Sequence, residues 1–356
     1  MSTSVLLTPR DVLTNTGNEA LDRIAKYGPY GYAPNLGGAI FFCIVYGISA
    51  VILCGMAIRY RRWWMLATLG FGAALECAGN AIRIGGHFSP DNVNAYIAQQ
   101  VILVLTPAFF AAAHFTILSK LGELFGDRYI KPVRSSWMIP FFVVLDVASL
   151  AVQGGGSGQA ATAEINGDQP STINNYGYIV SGGLGIQLAG YLAFNVVFFL
   201  FVYRTNADPP SQHTERASAQ YWNGRMKIFL AAVWCSALLV LLRSVFRTVE
   251  MSLGWIGTVA TTEWFYLVFD ATFVTLAILI FVAVPPPLYM PREVRQIGKQ
   301  SAAEAGAGSE KRAGSDMEAA AASSAAPASS ERQDYSMASS ITEHGGQQEP
   351  KADLKA

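Results

Sequence analysis

Seven long apolar runs, separated by short polar segments, constrain the fold of this chain more than any other feature. A helix that crosses the ~30 Å hydrocarbon core of a bilayer needs ~20 mostly apolar residues, because it rises ~1.5 Å per residue. Lipid cannot hydrogen-bond the backbone, so such runs are expected to be helical. The expected spans are 37–60, 63–86, 95–121, 136–153, 176–203, 225–249 and 259–284. The sequence therefore predicts an all-α, polytopic membrane protein built as a seven-transmembrane-helix bundle.

The two polar ends of the chain contrast with this apolar centre. Only 14% of the 356 residues are charged, whereas a soluble domain has about 25%. The expected organisation is an extracellular N-terminal segment (1–36), a transmembrane domain (37–287) and a disordered cytoplasmic tail (288–356). The tail is rich in Ala, Ser, Glu and Gly, with scarcely any aromatic residues, so it cannot bury enough apolar area to fold alone.

Positive residues alternate between the loops and predict the orientation. Lys and Arg follow the first, third, fifth and last spans, beginning with Arg59, Arg61 and Arg62. The loops 87–94, 154–175 and 250–258 contain neither. Positive loops stay in the cytoplasm, so the N-terminus is expected outside and the C-terminus inside. The glycine-rich stretch 154–158 of an outer loop is expected to be flexible.

Polar and ionisable residues inside the spans are the candidate functional residues. Such a charge near the bilayer centre costs ~2.5 kcal/mol or more, so it is expected to face the bundle interior. Within a helix these residues are spaced three, four or seven positions apart, which places them on one face of that helix. We predict one polar cluster between the second, fourth, sixth and seventh helices, nearer the outer leaflet. Its candidate substrate-binding residues are Glu76, Asn80, Arg83, Gln100, Asp146, Gln153, Gln187, Arg243, Arg247, Glu250, Glu263 and Asp270.

Two interpretations of this cluster remain open. It is either a substrate site or a structural lock, in which ion pairs hold the helices together and loss of one partner leaves a buried charge unmatched. The candidates include two more acids than arginines. If all are ionised, this excess favours a cationic head group.

Short motifs on five spans carry a resemblance to a known family. They read ECAGNAIR from Glu76, YIAQQ from Tyr96, DVASLAVQGGG from Asp146, RSVFRTVE from Arg243 and EWFYLVFD from Glu263. In this order they resemble the fungal lipid-translocating exporter family. Its RTA-like seven-helix membrane proteins are known from resistance to aminocholesterol and are related to exporters of sphingoid long-chain bases. The resemblance runs from about residue 32 to residue 287.

The resemblance implies a multi-pass plasma-membrane protein that is not an enzyme. It would move or export an amphipathic lipid, such as a sphingoid long-chain base, and contribute to resistance to toxic amphiphiles. The expected partners are membrane lipids and not nucleic acid, and no cofactor or metal is expected. A cytoplasmic partner for the tail is left open.

Of two other classes of function, the first fits the topology equally well. A seven-helix receptor or lipid-stress sensor would share the outer N-terminus and the long tail. A zinc hydrolase is disfavoured, because only His87 and His114 lie near the membrane core and such sites need several converging ligands. We expect His114 to be a packed histidine. The chain has no phosphate-binding Gly-x-x-x-x-Gly-Lys-Ser/Thr loop, so it is not expected to hydrolyse ATP.

Overall fold

Seven helices that are long and apolar enough to cross a membrane run through the described part of the chain. The structure is a computed structural model that describes residues 30, 32, 34–89, 92–131, 135–166, 170–210, 221–253, 262–291, 294 and 297. The first six helices are α1 (Leu36–Arg59), α2 (Trp63–Phe88), α3 (Val93–Phe125), α4 (Ser135–Asn166), α5 (Pro170–Ala207) and α6 (Gly224–Ser252). The seventh, α7, comprises Glu263–Phe265, Tyr266–Ala271 and Thr272–Ala283. The predicted all-α, seven-helix membrane bundle is confirmed.

Asparagine side chains fix the starts of three helices. Asn35, Asn92 and Asn223 each accept a hydrogen bond from the backbone N–H three residues on, at 3.0, 3.1 and 3.0 Å. These bonds satisfy N–H groups that have no partner within the helix. The first turns of α1, α3 and α6 are therefore set by local sequence.

The helices pack in chain order, and α7 returns to pack against α1. In addition, α3 contacts α5 and α6, so it lies inside the bundle. The most apolar 18-residue stretch of α3 is 61% buried, against 28% for α4. We call the end where α1 begins and α2 finishes the N-terminal end, and the opposite end the C-terminal end.

An aromatic core joins α3, α4 and α5. Phe115 stacks on Phe142 and meets Phe194 edge to face, with ring centroids 4.8 Å apart in both pairs. Offset and edge-to-face pairs are the favoured arrangements of aromatic rings. Large apolar side chains such as Val51 and Val144 are exposed on the outside of the bundle, as expected for a surface that meets lipid tails.

The glycine-rich stretch 154–158 is helical, which corrects the prediction of a flexible loop. Helix α4 continues through it to Asn166 and pairs with α5 along this extension. A Cβ on Gly156 would lie 2.9 Å from a methyl of Val180, and one on Gly183 would lie 2.8 Å from Cγ of Gln153. The glycines allow the two helices to approach closely, and this packing outweighs their low helix propensity.

Two helices contain a π-helical segment, in which backbone hydrogen bonds span five residues. These segments are Leu66–Gly70 in α2 and Tyr266–Ala271 in α7. In α7 the hydroxyl of Thr272 donates to the carbonyl of Leu267 at 2.7 Å, and the hydroxyl of Tyr46 on α1 donates to the carbonyl of Ala271 at 2.9 Å. The second segment carries one residue of the candidate site, Asp270.

Packing continues beyond residue 287 at the C-terminal end. A short helix, α8 (Pro286–Tyr289), is followed by Met290 and Val294, which are buried. Nη2 of Arg62 donates to the carbonyl of Met290 at 2.8 Å. Residues 1–29 and nearly all of the predicted tail lie outside the described residues. Their predicted disorder, and the side of the membrane on which each end lies, stay predictions.

Candidate functional site

Nine of the twelve predicted site residues lie on α2, α3, α6 and α7, from the middle of the bundle to its N-terminal end. We call this set the polar cluster. Most of its side chains are buried, and α3 replaces the predicted α4 as one of its walls. The members are Glu76, Asn80, Arg83, Gln100, Arg243, Arg247, Glu250, Glu263 and Asp270.

Arg83 is held by groups from two other parts of the chain. Its Nη2 donates to Oε1 of Glu263 at 2.7 Å and to the hydroxyl of Tyr32 at 3.0 Å. The guanidinium also lies over the ring of Tyr266, 4.2 Å from the ring centre. A cation over an aromatic face is attracted by the ring electrons. Arg83 therefore ties α2 to α7 and to the segment that precedes α1.

Arg243 and Arg247 on α6 each have an acidic partner. Arg243 donates from Nε to Oδ1 of Asp270 and from Nη2 to the backbone carbonyl of Leu103, the latter at 2.9 Å. Arg247 donates to Oε2 of Glu250 at 2.8 Å and more weakly to Oε1 of Gln100 at 3.4 Å. These bonds connect α6 with α3 and α7.

Glu76 is the acid of the polar cluster that takes part in none of its three arginine–acid pairs. The cluster holds three arginines and four acids, and each arginine takes one acid other than Glu76. Glu76 is only 3% exposed, about midway along α2, within electrostatic reach of Asp270 and Arg243. No described residue forms a hydrogen bond or an ion pair with its carboxyl group. Within the part of the chain that the structure describes, Glu76 is thus a buried carboxyl group without a counter-ion.

Asn80 and Arg83 continue the same face of α2 and also have unused atoms. The amide nitrogen of Asn80 donates to the backbone carbonyl of Glu76 at 2.9 Å, whereas Oδ1 has no partner among the described residues. Nε of Arg83 has none there either. Buried polar atoms are rarely left unpaired, so each exception needs an explanation. This face of α2 therefore offers two acceptors, the carboxyl group of Glu76 and Oδ1 of Asn80, and then a donor, Nε of Arg83.

The other three predicted residues lie outside the polar cluster. Nε2 of Gln153 on α4 donates to Oε1 of Gln187 on α5 at 3.1 Å. Asp146 is 7% exposed and lies within electrostatic reach of Tyr191. Helix α4 packs mainly against α3 and α5, so it does not bring these side chains to α2 and α7.

The segment before α1 lies against the N-terminal end of the polar cluster. The hydroxyl of Tyr30 donates to Oε1 of Gln99 at 2.9 Å, and burial raises the pKa of Tyr30 to about 12. Burial likewise raises the pKa of Tyr32, the partner of Arg83. The backbone N–H of Asn35 donates to Oε1 of Glu263 at 2.7 Å. This end of the cluster is therefore covered by neutral phenols and one backbone N–H.

Sequence reasoning missed the tyrosines around the cluster. Tyr266 lies three residues after Glu263 and four before Asp270, so its spacing already placed it on their helix face. Tyr46 on α1 lies within electrostatic reach of Glu76, but its polar neighbour at helical spacing is the uncharged Ser49, so no charged residue identified this face of α1. Tyr32 precedes the first helix, where no periodic pattern exists to identify it.

His114 belongs to a separate hydrogen-bonded chain in the core. Its Nδ1 lies 3.2 Å from the hydroxyl of Tyr191, and its Nε2 lies 3.2 Å from the hydroxyl of Ser236. Ser236 donates in turn to the carbonyl of Ala277 at 3.2 Å. The prediction of a packed histidine is confirmed. Among the described residues, no group of three or more His, Cys, Asp or Glu is placed to hold a metal.

Comparison with known families identifies the relationship. Residues 69–293, more than half of the chain, match the sequence model of a family described as RTA1 like protein. The chain belongs to the RTA1-like family. The matched region contains α3 to α6, most of α2 and the whole of α7, and therefore all nine residues of the polar cluster. The resemblance inferred from the motifs is confirmed.

Several relatives of this RTA1-like chain come from Saccharomyces cerevisiae. It is 26% identical to Protein RTA1 over 283 residues, covering 72% of this chain and 84% of that protein. It is 25% identical to the Sphingoid long-chain base transporter RSB1 over 286 residues, covering 72% of each. Protein RTM1 is 29% identical over 214 residues, covering 60% of this chain and 65% of its own length. No solved structure matches the chain.

Proposed function

We propose that this protein is an integral membrane lipid transporter that binds the amine of an amphipathic lipid at Glu76. The observation that carries the proposal is the buried carboxyl group of Glu76, which has no counter-ion among the described residues. The relative named as a sphingoid long-chain base transporter supports a long-chain amine as the substrate class.

The polar cluster is better suited to an ammonium group than to a phosphate. Each of its arginines already has a carboxylate partner, so a phosphate would have to break an existing pair. An ammonium group has three N–H donors and no acceptor. The carboxylate of Glu76 and Oδ1 of Asn80, one helical turn apart, offer it two acceptors. We therefore expect an unphosphorylated base to be preferred over its phosphate.

An amphipathic ligand also suits the surroundings of this site. Its apolar chain can stay among the lipid tails that cover the exposed apolar faces of the helices. Its head group then has to cross the hydrocarbon, where an unpaired charge is costly. Glu76, about midway along α2, supplies an opposite charge at that depth. The proposal includes a plasma-membrane location and a contribution to resistance against toxic amphiphiles.

Reconstitution tests the proposal directly. Purified protein in liposomes is expected to move a fluorescent sphingoid base between leaflets faster than protein-free vesicles do. Glu76→Gln should slow this movement at least tenfold, since it removes the anionic partner of the amine. The substitution leaves no other charge without its partner, so the Glu76→Gln variant should fold.

The control is Glu123→Gln, near the end of α3 and outside the polar cluster, which should behave as the unchanged protein. Equal rates with and without protein, across several long-chain amines, would refute transport. The receptor or sensor alternative would then gain support from a signalling protein that binds the cytoplasmic loops only when the amine is present.

A further inference from the structure

We infer that Glu76 binds either a proton or the lipid ammonium group but not both, so that the lipid moves in exchange for a proton. The inference rests on the proposed function and adds the ion that is coupled to it. It concerns the same carboxyl group but makes a separate measurable claim about proton movement.

Without a ligand, the buried carboxyl group of Glu76 would carry an unpaired charge. A carboxylate without a partner in a protein interior is unfavourable by several kcal/mol, even after local relaxation. Glu76 is buried and has no donor among the described residues. When no ligand is present, a proton can neutralise this group, and the described residues offer no group of three or more His, Cys, Asp or Glu that could hold a metal ion in its place. The ligand must then replace that proton.

The groups that face Glu76 from the neighbouring helices are either paired or uncharged. Arg243 on α6 and Asp270 on α7 lie within electrostatic reach, but they neutralise each other. Tyr46 on α1 and Tyr266 on α7 are also near, and both are neutral phenols. On α3, the carbonyl of Leu103 already accepts from Arg243. None of these helices supplies a spare positive charge to Glu76.

The exchange balances in atoms and charge. The protonated carboxyl group and the ammonium form of the lipid give a carboxylate–ammonium pair and one free proton. The site is neutral before and after binding, so it never presents a net charge to the surrounding hydrocarbon. A neutral site that carries a lipid in one direction and a proton in the other can be driven by a proton gradient. This accounts for transport without a nucleotide-binding loop.

Proton release on binding tests the inference without a need for transport. The probe is sphingosine with its nitrogen fully methylated, because its fixed charge cannot itself release a proton. Titrated into the detergent-solubilised full chain in weak buffer, it is expected to release about one proton per bound ligand. The affinity for this probe should rise about tenfold for each unit by which the pH is raised, as long as Glu76 carries a proton in the empty site, because each binding event releases one proton.

Four variants make the assignment specific. Glu76→Asp keeps a carboxyl group and should retain the release, Glu76→Gln should abolish it, and Glu123→Gln should leave it unchanged. Asp146→Asn removes the other buried carboxyl group that has no ion-pair partner among the described residues. If this variant loses the release while Glu76→Gln keeps it, the proton comes from Asp146 and the assignment to Glu76 is wrong.

The outcomes separate this inference from the proposed function. Ligand binding and lipid movement without proton release would overturn the proton exchange and leave lipid transport standing. Failure of the wild-type protein both to bind the probe and to move a long-chain amine would refute the proposed function itself. In proteoliposomes, a proton gradient of one pH unit should accumulate the fully methylated base about tenfold on the acidic side, whereas protein-free vesicles should not accumulate it, because its fixed charge prevents it from crossing as a neutral amine.

Discussion

The buried arginine–acid pairs are the residues at which a structural lock and a substrate site make different predictions. Arg243 and Asp270 are 3% and 5% exposed, so each is removed from water and relies on the other for its counter-charge. Burying such a pair is costly, but breaking it is costlier, because the remaining charge has no solvent to stabilise it. A single substitution therefore cannot distinguish a lock from a site, whereas removing both partners can.

Replacement of one partner, Asp270→Asn, is expected to destabilise the folded protein by about 3–5 kcal/mol, because Arg243 stays buried and unmatched. The double variant Arg243→Met/Asp270→Leu should regain most of that loss, because no charge is left over. Thermal unfolding in detergent measures both.

The matched control is the exposed pair Arg128–Asp208, where Asp208→Asn should cost about 0–1 kcal/mol. A folded double variant that moves lipid at the wild-type rate would show that the Arg243–Asp270 pair is only a lock. A folded double variant without transport would place the pair in the site.

At the level of helices, the pairing of α4 with α5 depends on glycines at the points of contact. A Cβ on Gly183 would lie 3.0 Å from the carbonyl oxygen of Ser149 and 3.2 Å from the backbone nitrogen of Gln153. These are backbone atoms, which cannot move aside as the end of a flexible side chain can. Close approach at this position thus requires glycine.

Gly183→Ala is accordingly expected to destabilise the protein by about 1–3 kcal/mol, as overpacking does in other cores. Gly185→Ala is the control on the same helix, because a Cβ there would meet nothing within 4 Å. It should stabilise α5 by about 0.5–1 kcal/mol, since alanine favours a helix. Melting temperatures in detergent compare the two, and equal shifts would contradict the close packing.

The π-helical segment of α7 is the second feature at this level. It contains both Tyr266 and Asp270, which contact different arginines of the polar cluster. Segments of this kind occur often at functional sites, where the wider turn changes the direction of side chains. Tyr266 contacts Arg83 on α2 while Asp270 pairs with Arg243 on α6. The segment thus connects the two sides of the cluster.

For the whole molecule, the distribution of positive residues predicts the orientation in the membrane. Lys and Arg follow the first, third, fifth and last spans, whereas the segments 87–94, 154–175 and 250–258 have neither. Because positive loops stay in the cytoplasm, the N-terminal end should face outward. In that orientation the tyrosine-covered end of the polar cluster is the outer one.

Epitope tags test this orientation. A tag before residue 1 should bind antibody on intact cells from which any cell wall has been removed. A tag after residue 356 should bind only after permeabilisation. A tag at 158, in the extension of α4, should behave as the N-terminal tag does. The opposite pattern would invert the molecule and assign the tyrosine-covered end to the cytoplasm.

The sequence by itself determined the number of helices, their approximate limits and the residues that face inward. These features follow from the length of each apolar run and from the spacing of its polar residues, which are local properties of the sequence. In lipid such a run has to be helical, because only the helix itself can satisfy the backbone hydrogen bonds. The spacing on α2, α6 and α7 placed Glu76, Arg243 and Asp270 correctly on inward faces. The motifs on five spans were also enough to indicate the family.

Only the tertiary structure decided which side chains meet. Helical spacing fixes the face of a residue but not the neighbouring helix, so sequence grouped Asp146 with α2 although α4 packs elsewhere. It also interpreted the glycines at 154–158 as a loop, because their role as contact points requires a partner helix. That Glu76 is the acid left without an arginine follows from three pairings between or along helices, and these exist only in the assembled bundle.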